Sequence, residues 1–266
     1  MLNPEAFEKM IRPLKNHLFS INFYFQGEPY LNPDFLKMVK IANQFGIYTG
    51  TSTNAHYMTA DMARKTVESK LDQVIVSIDG TTQESYEKYR VGGQLSKVIE
   101  GTKHLIEQKK SMGSRTPHII WQFVVFKNNE HQVEEIKRLG KNIGVDEIKI
   151  KTAQIYDFEN SQGIIPDNEK YARYKKDTSG KYVIKNKLLN QCWRMWQGCV
   201  VTWDGKIVPC CFDKDAKYTL GNLNEESLKA VWFSQAYDSF RGAILKSRNE
   251  IDICTNCSEG TEVWVD

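Results

Sequence analysis

No cysteine occurs in the first 191 residues of this 266-residue chain, and all six, Cys192, Cys199, Cys210, Cys211, Cys254 and Cys257, fall in the last 75. So uneven a placement excludes a disulfide framework spread through the fold and points to one local device. No apolar run approaches the roughly 18 residues that a spanning helix requires, so no membrane partner is expected. The start, "MLNPEAFEKM", lacks the basic-then-apolar order of a secretory leader. A cytoplasmic location follows as the expectation, with reduced thiols better suited to metal ligation or catalysis than to disulfides. Charge of one sign is scarce as well: the formal net charge is +3, with acids and bases interspersed. Nothing in that balance suggests a nucleic-acid partner. There is no repeat of solenoid type and no low-complexity tract.

What is present is a regular alternation. "NPEAFEKMIRPLKN" reads as a helix with Asn3 as N-cap and Pro4 at its first position, and "LFSINFYF" follows as a strand. "NPDFLKMVKIANQFG" repeats the Asn-Pro start and stops at Gly46, before the strand in "IYTGTSTN". Three more pairs follow: helix "TADMARKTVESK" with strand "DQVIVSIDG", helix "GQLSKVIEGTKHLIEQKKSMG" with strand "HIIWQFVVF", and helix "NEHQVEEIKRLGKNIG" with strand "DEIKIKTA". Five strands alternating with helices predict a parallel α/β domain over residues 1–152. Parallel strands carry their binding loops beyond their carboxyl ends, and the five ends here, "QGEP", "STN", "SIDG", "FKNN" and "KTAQ", are all polar.

Residues 153–190 are polar and weakly periodic and read as a linker. Residues 191–266 form a cysteine-bearing unit: a hairpin turning at Asp204-Gly205, a helix, and a Cys-x-x-Cys knuckle. A thiolate site needs ligands gathered from turns, and that is their setting here. Cys192 precedes the hairpin, Cys210 follows Gly205 after four residues, and Cys254 and Cys257 close the set. Four thiolates suit either tetrahedral zinc or one cubane iron–sulfur cluster. Cys199 follows the apolar parity of its strand and reads as an ordinary core residue.

Together the two halves resemble the radical S-adenosylmethionine (radical SAM) enzymes that carry a C-terminal SPASM or twitch domain. The matching stretches are "QGEPYLNPDF", "TSTNAHYM", "VSIDGTTQESYEKYR" and "FVVFKNNEHQ" in the first half. In the second they are "CWRMW", "WDGKIVPCCFD", "LGN", "LKAVW" and "CTNC". The resemblance implies a partial (β/α)6 TIM-like barrel, with about five of six strands present, followed by a small Cys-rich domain. Gln26, Gly27, Glu28 and Pro29 would then receive the amino group of S-adenosylmethionine. Ser77 and Asp79 would lie near its ribose, and Arg90 would meet its carboxylate. Cys192, Cys210, Cys254 and Cys257 would hold an auxiliary [4Fe–4S] cluster, with Cys211 as the rival of Cys210. An electron donor such as flavodoxin or ferredoxin and a peptide or protein substrate are implied too.

Two departures qualify that picture. Sulfatase-maturing relatives place an acid directly after the hairpin cysteine, where this chain has Cys211, with Asp213 two residues later. Formylglycine formation is therefore not implied. Cys211, as a thiol that returns a hydrogen atom, and Asp213 stand as the catalytic candidates of that loop. The family also holds its catalytic cluster in a Cys-x-x-x-Cys-x-x-Cys loop after the first barrel strand, and this chain has none. The expectation is an N-terminally truncated form of an active enzyme, with the catalytic cluster confined to a full-length form and the "FSINFYF" strand left at an open sheet edge. The alternative is a non-catalytic protein whose cysteines hold iron–sulfur or zinc.

Overall fold

The computed structural model describes residues 2–161 and 163–257, in two compact units. Among the described residues, the first comprises Asn3–Ala153 and Ser161–Ala172, and the second Leu2, Gln154–Asn160 and residues 173–257.

In the first unit, helix α1 (Pro4–Ile11) starts as its sequence requires: Asn3 Oδ1 accepts a hydrogen bond from Ala6 N at 2.8 Å, with Pro4 in the first turn. Strand β1 (Ser20–Asn22) is shorter than the apolar run around it. Phe19 is 88% exposed. Phe23 leaves the strand to pack between Phe7 and Phe35, with ring centroids 5.3 and 5.6 Å away. Helix α2 (Phe35–Gln44) does not begin at Asn32 as the repeated Asn-Pro predicts. Asn32 Oδ1 instead accepts from Asp34 N at 3.0 Å, a local turn that delays the helix to Phe35.

The remaining elements of the unit are β2 (Tyr48–Thr53), α3 (Ala60–Glu68), β3 (Gln73–Ser77), α4 (Gln83–Tyr89), α5 (Leu95–Ser111), β4 (His118–Val125), α6 (Val133–Ile143) and β5 (Glu147–Thr152). The strands form one parallel sheet in the order β1-β2-β3-β4-β5, so β1 and β5 are its edges. This is the α/β barrel-type architecture expected. Its core joins Val74, Val76, Trp121 and Phe123 of the sheet to Val98 and Leu105 of α5. The Trp121 indole N–H, buried among them, donates to Thr102 Oγ1 at 3.1 Å. Thr49, Thr51 and Thr53 alternate along β2, all buried and each with a hydroxyl hydrogen bond. Polar groups are thus carried up one face of β2 to its carboxyl end.

The second unit opens with a hairpin, β6 (Tyr174–Lys176) and β7 (Tyr182–Ile184), inside the stretch read as linker. Asp177 Oδ1 accepts from Ser179 N, Ser179 Oγ and Lys181 N, a turn chemistry that weak periodicity does not reveal. Then come α7 (Arg194–Gln197) and a small antiparallel sheet of β8 (Val200–Val201), β9 (Lys206–Val208) and β10 (Gly221–Asn222) in the order β10-β9-β8. The β8–β9 turn falls at Asp204-Gly205 as expected, with Gly205 at φ +87°. Helices α8 (Leu228–Trp232), α9 (Gln235–Ser247) and α10 (Asp252–Thr255) complete the unit. Its core brings Cys192, Cys254 and Ile207 together with Tyr237 and Ile244.

Candidate functional site

At the carboxyl end of β1 the chain turns through Gly27, which has φ +81°. Glu28 follows and pins this loop to the end of β2. Its Oε1 accepts from Tyr30 N at 3.2 Å and Thr53 Oγ1 at 2.8 Å, and its Oε2 from Asn54 N at 2.8 Å. Pro29 begins the short 3-10 turn that Glu28 caps. His56 ties the β2 end to a third segment: its Nε2 accepts from Gln94 N at 2.8 Å, so its Nδ1 carries the proton toward Asn54 O, 2.9 Å away.

At the end of β3, Ser77 is buried and Asp79 fully so. Arg90, where α4 ends, donates through Nε to Asp79 Oδ2 at 2.6 Å, and Val124 N donates to Asp79 Oδ1 at 2.7 Å. Burial pushes the Asp79 carboxyl above its usual range against the pull of Arg90 and of the Val124 amide. Burial works against the Arg90 charge, but the neighbouring carboxylate outweighs it and holds the guanidinium above its ordinary value. Gly80 lets α4 approach the strand end, since a Cβ there would lie 2.4 Å from Tyr86 N.

These segments enclose a cavity of about 190 Å³ at the ends of β1, β2 and β3. Gln26, Gly27, Glu28, Ser77 and Arg90 line it, which gathers five of the seven cofactor-binding candidates at one place. Pro29 and Asp79 are absent from its wall. Pro29 shapes the turn, and both Asp79 oxygens are committed to Val124 and Arg90. Asp79 therefore aims Arg90 instead of facing the cavity. Tyr24, Phe25, Ser52, Thr53 and Asn54 also line it and were not singled out from sequence. Ser52, Thr53 and Asn54 stood in the polar "STN" rim, which marked a place without ranking its residues, while Tyr24 and Phe25 read as part of the apolar strand run.

In the second unit Cys192, Cys254 and Cys257 are buried, Cys210 is partly buried and Cys211 is exposed. Burial pushes the Cys210 thiol up to about 12; a hydrogen bond from Phe212 N–H opposes it, and Cys211, Cys254 and Cys257 add to it. Burial likewise holds Cys254 at about 11, with Arg248 pulling it down through charge and a hydrogen bond, while Cys257 and Cys192 push it up. Cys254 and Cys257 thus act on Cys210, and Cys192 and Cys257 act on Cys254. Cys199, raised to about 11 by burial alone, fits its reading as a core residue. Asp213 is buried, and its carboxylate accepts from Lys217 N at 2.8 Å and Tyr218 N at 2.9 Å, which places it as a brace for the loop after Cys210.

Among the described residues, no group of three His, Cys, Asp or Glu is positioned to hold a metal ion. The chemistry of the four-thiol set nevertheless suits an anionic iron–sulfur group. A second observation agrees: the hydroxyl of Tyr237, a residue buried in the same core as Cys192 and Cys254, has no hydrogen-bond partner among the described residues. A buried donor in that position is complete once a sulfur-rich anion occupies the space.

The chain matches the family model of the radical SAM superfamily over residues 1–140. It matches that of SPASM, an iron–sulfur cluster-binding domain, over residues 192–258. It is 28% identical over 260 residues to the tungsten-containing aldehyde ferredoxin oxidoreductase cofactor-modifying protein of Pyrococcus furiosus, covering 87% of this chain and 71% of that one. Among solved structures it is similar to Streptococcus suis SuiB bound to the precursor peptide SuiA, at 15% identity and a TM-score of 0.66 over 97% of this chain and 65% of that one. It is similar also to native anSMEcpe with bound AdoMet and the Cp18Cys peptide, at 17% identity and a TM-score of 0.66 over 99% and 84% of the two chains. At these identities the two structures speak for the fold.

Proposed function

The chain belongs to the radical SAM superfamily, with a SPASM segment after the α/β unit, and from that premise we propose that it binds S-adenosylmethionine in the cavity at the ends of β1–β3 and a [4Fe–4S] cluster through Cys192, Cys210, Cys254 and Cys257, in the service of a radical modification of a peptide or protein. The observation that carries this reading is the convergence of Glu28, Ser77 and Arg90 from three separate segments on one cavity.

Cleaved by one electron from a catalytic cluster, S-adenosylmethionine would supply hydrogen-abstraction chemistry; the residues here would supply its binding and orientation. The Glu28 carboxylate and the backbone groups around Gly27 suit an ammonium group, and the Arg90 guanidinium, braced by Asp79, suits a carboxylate. Ser77, on the same cavity wall, would offer a hydroxyl to the ribose. Residues 1 to 191 contain no cysteine, so the strand ends offer no thiolate set for a cluster of their own. In the second unit the thiols would ligate as thiolates, so loading the cluster would release protons.

Peptide-bound relatives of the same fold support a peptide or protein substrate. A small-molecule cofactor is the second reading, favoured by the name of the Pyrococcus furiosus relative. The cofactor assignment is tested by equilibrium dialysis of anaerobically prepared protein against labelled S-adenosylmethionine, with adenosine as competitor. The expected result is one saturable site, weakened about 10-fold or more by Arg90→Ala, the scale of one lost charge-assisted hydrogen bond. Equal binding by the variant and the wild type contradicts the assignment.

A further inference from the structure

Tyr237 lies on α9 and is fully buried. Phenylalanine would fill the same apolar surroundings, yet the chain keeps a hydroxyl there that has no hydrogen-bond partner among the described residues. Orphaned buried donors are rare and destabilising, so each asks for an absent acceptor. The ring is held on two sides. Trp232 packs with its centroid 4.9 Å away, and the Arg241 guanidinium carbon sits 4.2 Å above the ring centre. Arg241 is itself fixed through Nε to Met195 O at 3.2 Å and through Nη1 to Trp232 O at 3.0 Å. The hydroxyl is therefore not a mobile group that turns to water. Its neighbours include thiols: Tyr237 belongs to the same buried core as Cys192 and Cys254, and Cys199 packs against that core.

We propose that the Tyr237 hydroxyl donates a hydrogen bond to a sulfur of the cluster held by the neighbouring thiolates, and that with Arg248 it raises the reduction potential of that cluster. This rests on the ligand assignment made above. A thiolate-ligated cluster gains one negative charge when it accepts one electron, so a donor directed at its sulfurs stabilises the reduced state more than the oxidised one. Arg248 supplies the positive charge in the same region. It is fully buried, its Nη1 donates to Gln191 O at 2.7 Å, its backbone N donates to Asn190 Oδ1 at 3.0 Å, and its side chain bonds the Cys254 thiol. It thus joins the segment leading to Cys192 with the knuckle that carries Cys254.

The test uses the whole chain with Tyr237→Phe, reconstituted anaerobically with iron and sulfide. Cluster content is quantified, and the midpoint potential is read by electron paramagnetic resonance during titration with dithionite, which supplies the electron. Cluster-free samples are melted in parallel. The expected variant takes up as much iron and sulfide as the wild type and has a more negative midpoint potential. Its cluster-free form melts at or above the wild-type temperature, because an orphaned hydroxyl has been removed. Should the Phe variant bind no cluster, 3-fluorotyrosine at position 237, a stronger donor of nearly the same shape, is expected to move the potential positive. Arg248→Met lowers the potential and Arg248→Lys lowers it less. Unchanged potentials at equal cluster content overturn the proposal. So does a cluster-free Phe variant that melts below the wild type, which would reveal a partner within the protein. Wild-type protein that takes up no iron and sulfide overturns the ligand assignment, and this inference with it.

Discussion

Replacing Glu28 by Gln keeps the shape of the side chain and removes one acceptor and one charge. In the better amide orientation Oε1 still accepts from Tyr30 N and Thr53 Oγ1, but an NH2 group then faces Asn54 N, which now donates at 2.8 Å to Oε2. The opposite orientation restores Asn54 and deprives Tyr30. Either way one backbone N–H in a half-buried site loses its acceptor. That costs about 1–2 kcal/mol, the lower part of the range for a buried donor left without its partner, because the site is open on its cavity side. At about 2–4 °C per kcal/mol for a unit of this size, thermal unfolding should fall by about 2–8 °C. The charge facing the cofactor ammonium is also lost, and S-adenosylmethionine affinity should fall about 10-fold. Calorimetric melting and titration calorimetry on one preparation separate the two effects. A melting temperature equal to the wild type refutes the anchoring role of Glu28. A lowered melting temperature with unchanged affinity refutes its role toward the ammonium and leaves it a loop brace.

Two further predictions follow from the second unit. Cys210→Ala should lose most of the iron and sulfide bound per chain and exposed Cys211→Ala should retain it, read by metal and acid-labile sulfide analysis; the opposite pattern assigns the ligand to Cys211. Asp252 accepts a hydrogen bond from Tyr218 OH at 2.7 Å and pairs with Lys217, and the Lys217 hydrogen bond first, then that of Tyr218, lowers its pKa from 3.8 to about 2. A carboxyl depressed in the folded state contributes stability that is present above its unfolded value and lost as pH falls through its folded one. The advantage of cluster-free wild type over Asp252→Asn should therefore hold above pH ~4 and disappear toward pH ~2 in chemical denaturation; an advantage independent of pH in that window contradicts the pairing.

Much of the α/β unit was legible because its signals are local and repeated. Alternating apolar runs gave the five strands, and Asn3 with Pro4 and the glycines at 46 and 144 marked helix ends that the structure keeps. Helix α4 was not assigned, because its capping box closes with Ser85 where Glu or Gln is the usual signal. The start of α2 was misplaced because Asn32 makes a turn with Asp34 before the helix begins. At the site, residue types named Glu28, Ser77 and Arg90, while the brace formed by Asp79 depends on two contacts that span 11 and 45 residues of chain. Tyr237 gave no signal at all. Within "SQAYDSF" it reads as one more core aromatic, and its orphaned hydroxyl exists only once α9 is packed beside the thiols.

The most direct test of the account is anomalous diffraction at the iron edge from anaerobic crystals grown with S-adenosylmethionine. The account predicts a four-iron anomalous feature ligated by Cys192, Cys210, Cys254 and Cys257, and the methionyl group of the cofactor in the strand-end cavity with its ammonium at Glu28 and its carboxylate at Arg90. A single zinc at the cysteines, or a cofactor bound away from that cavity, contradicts it.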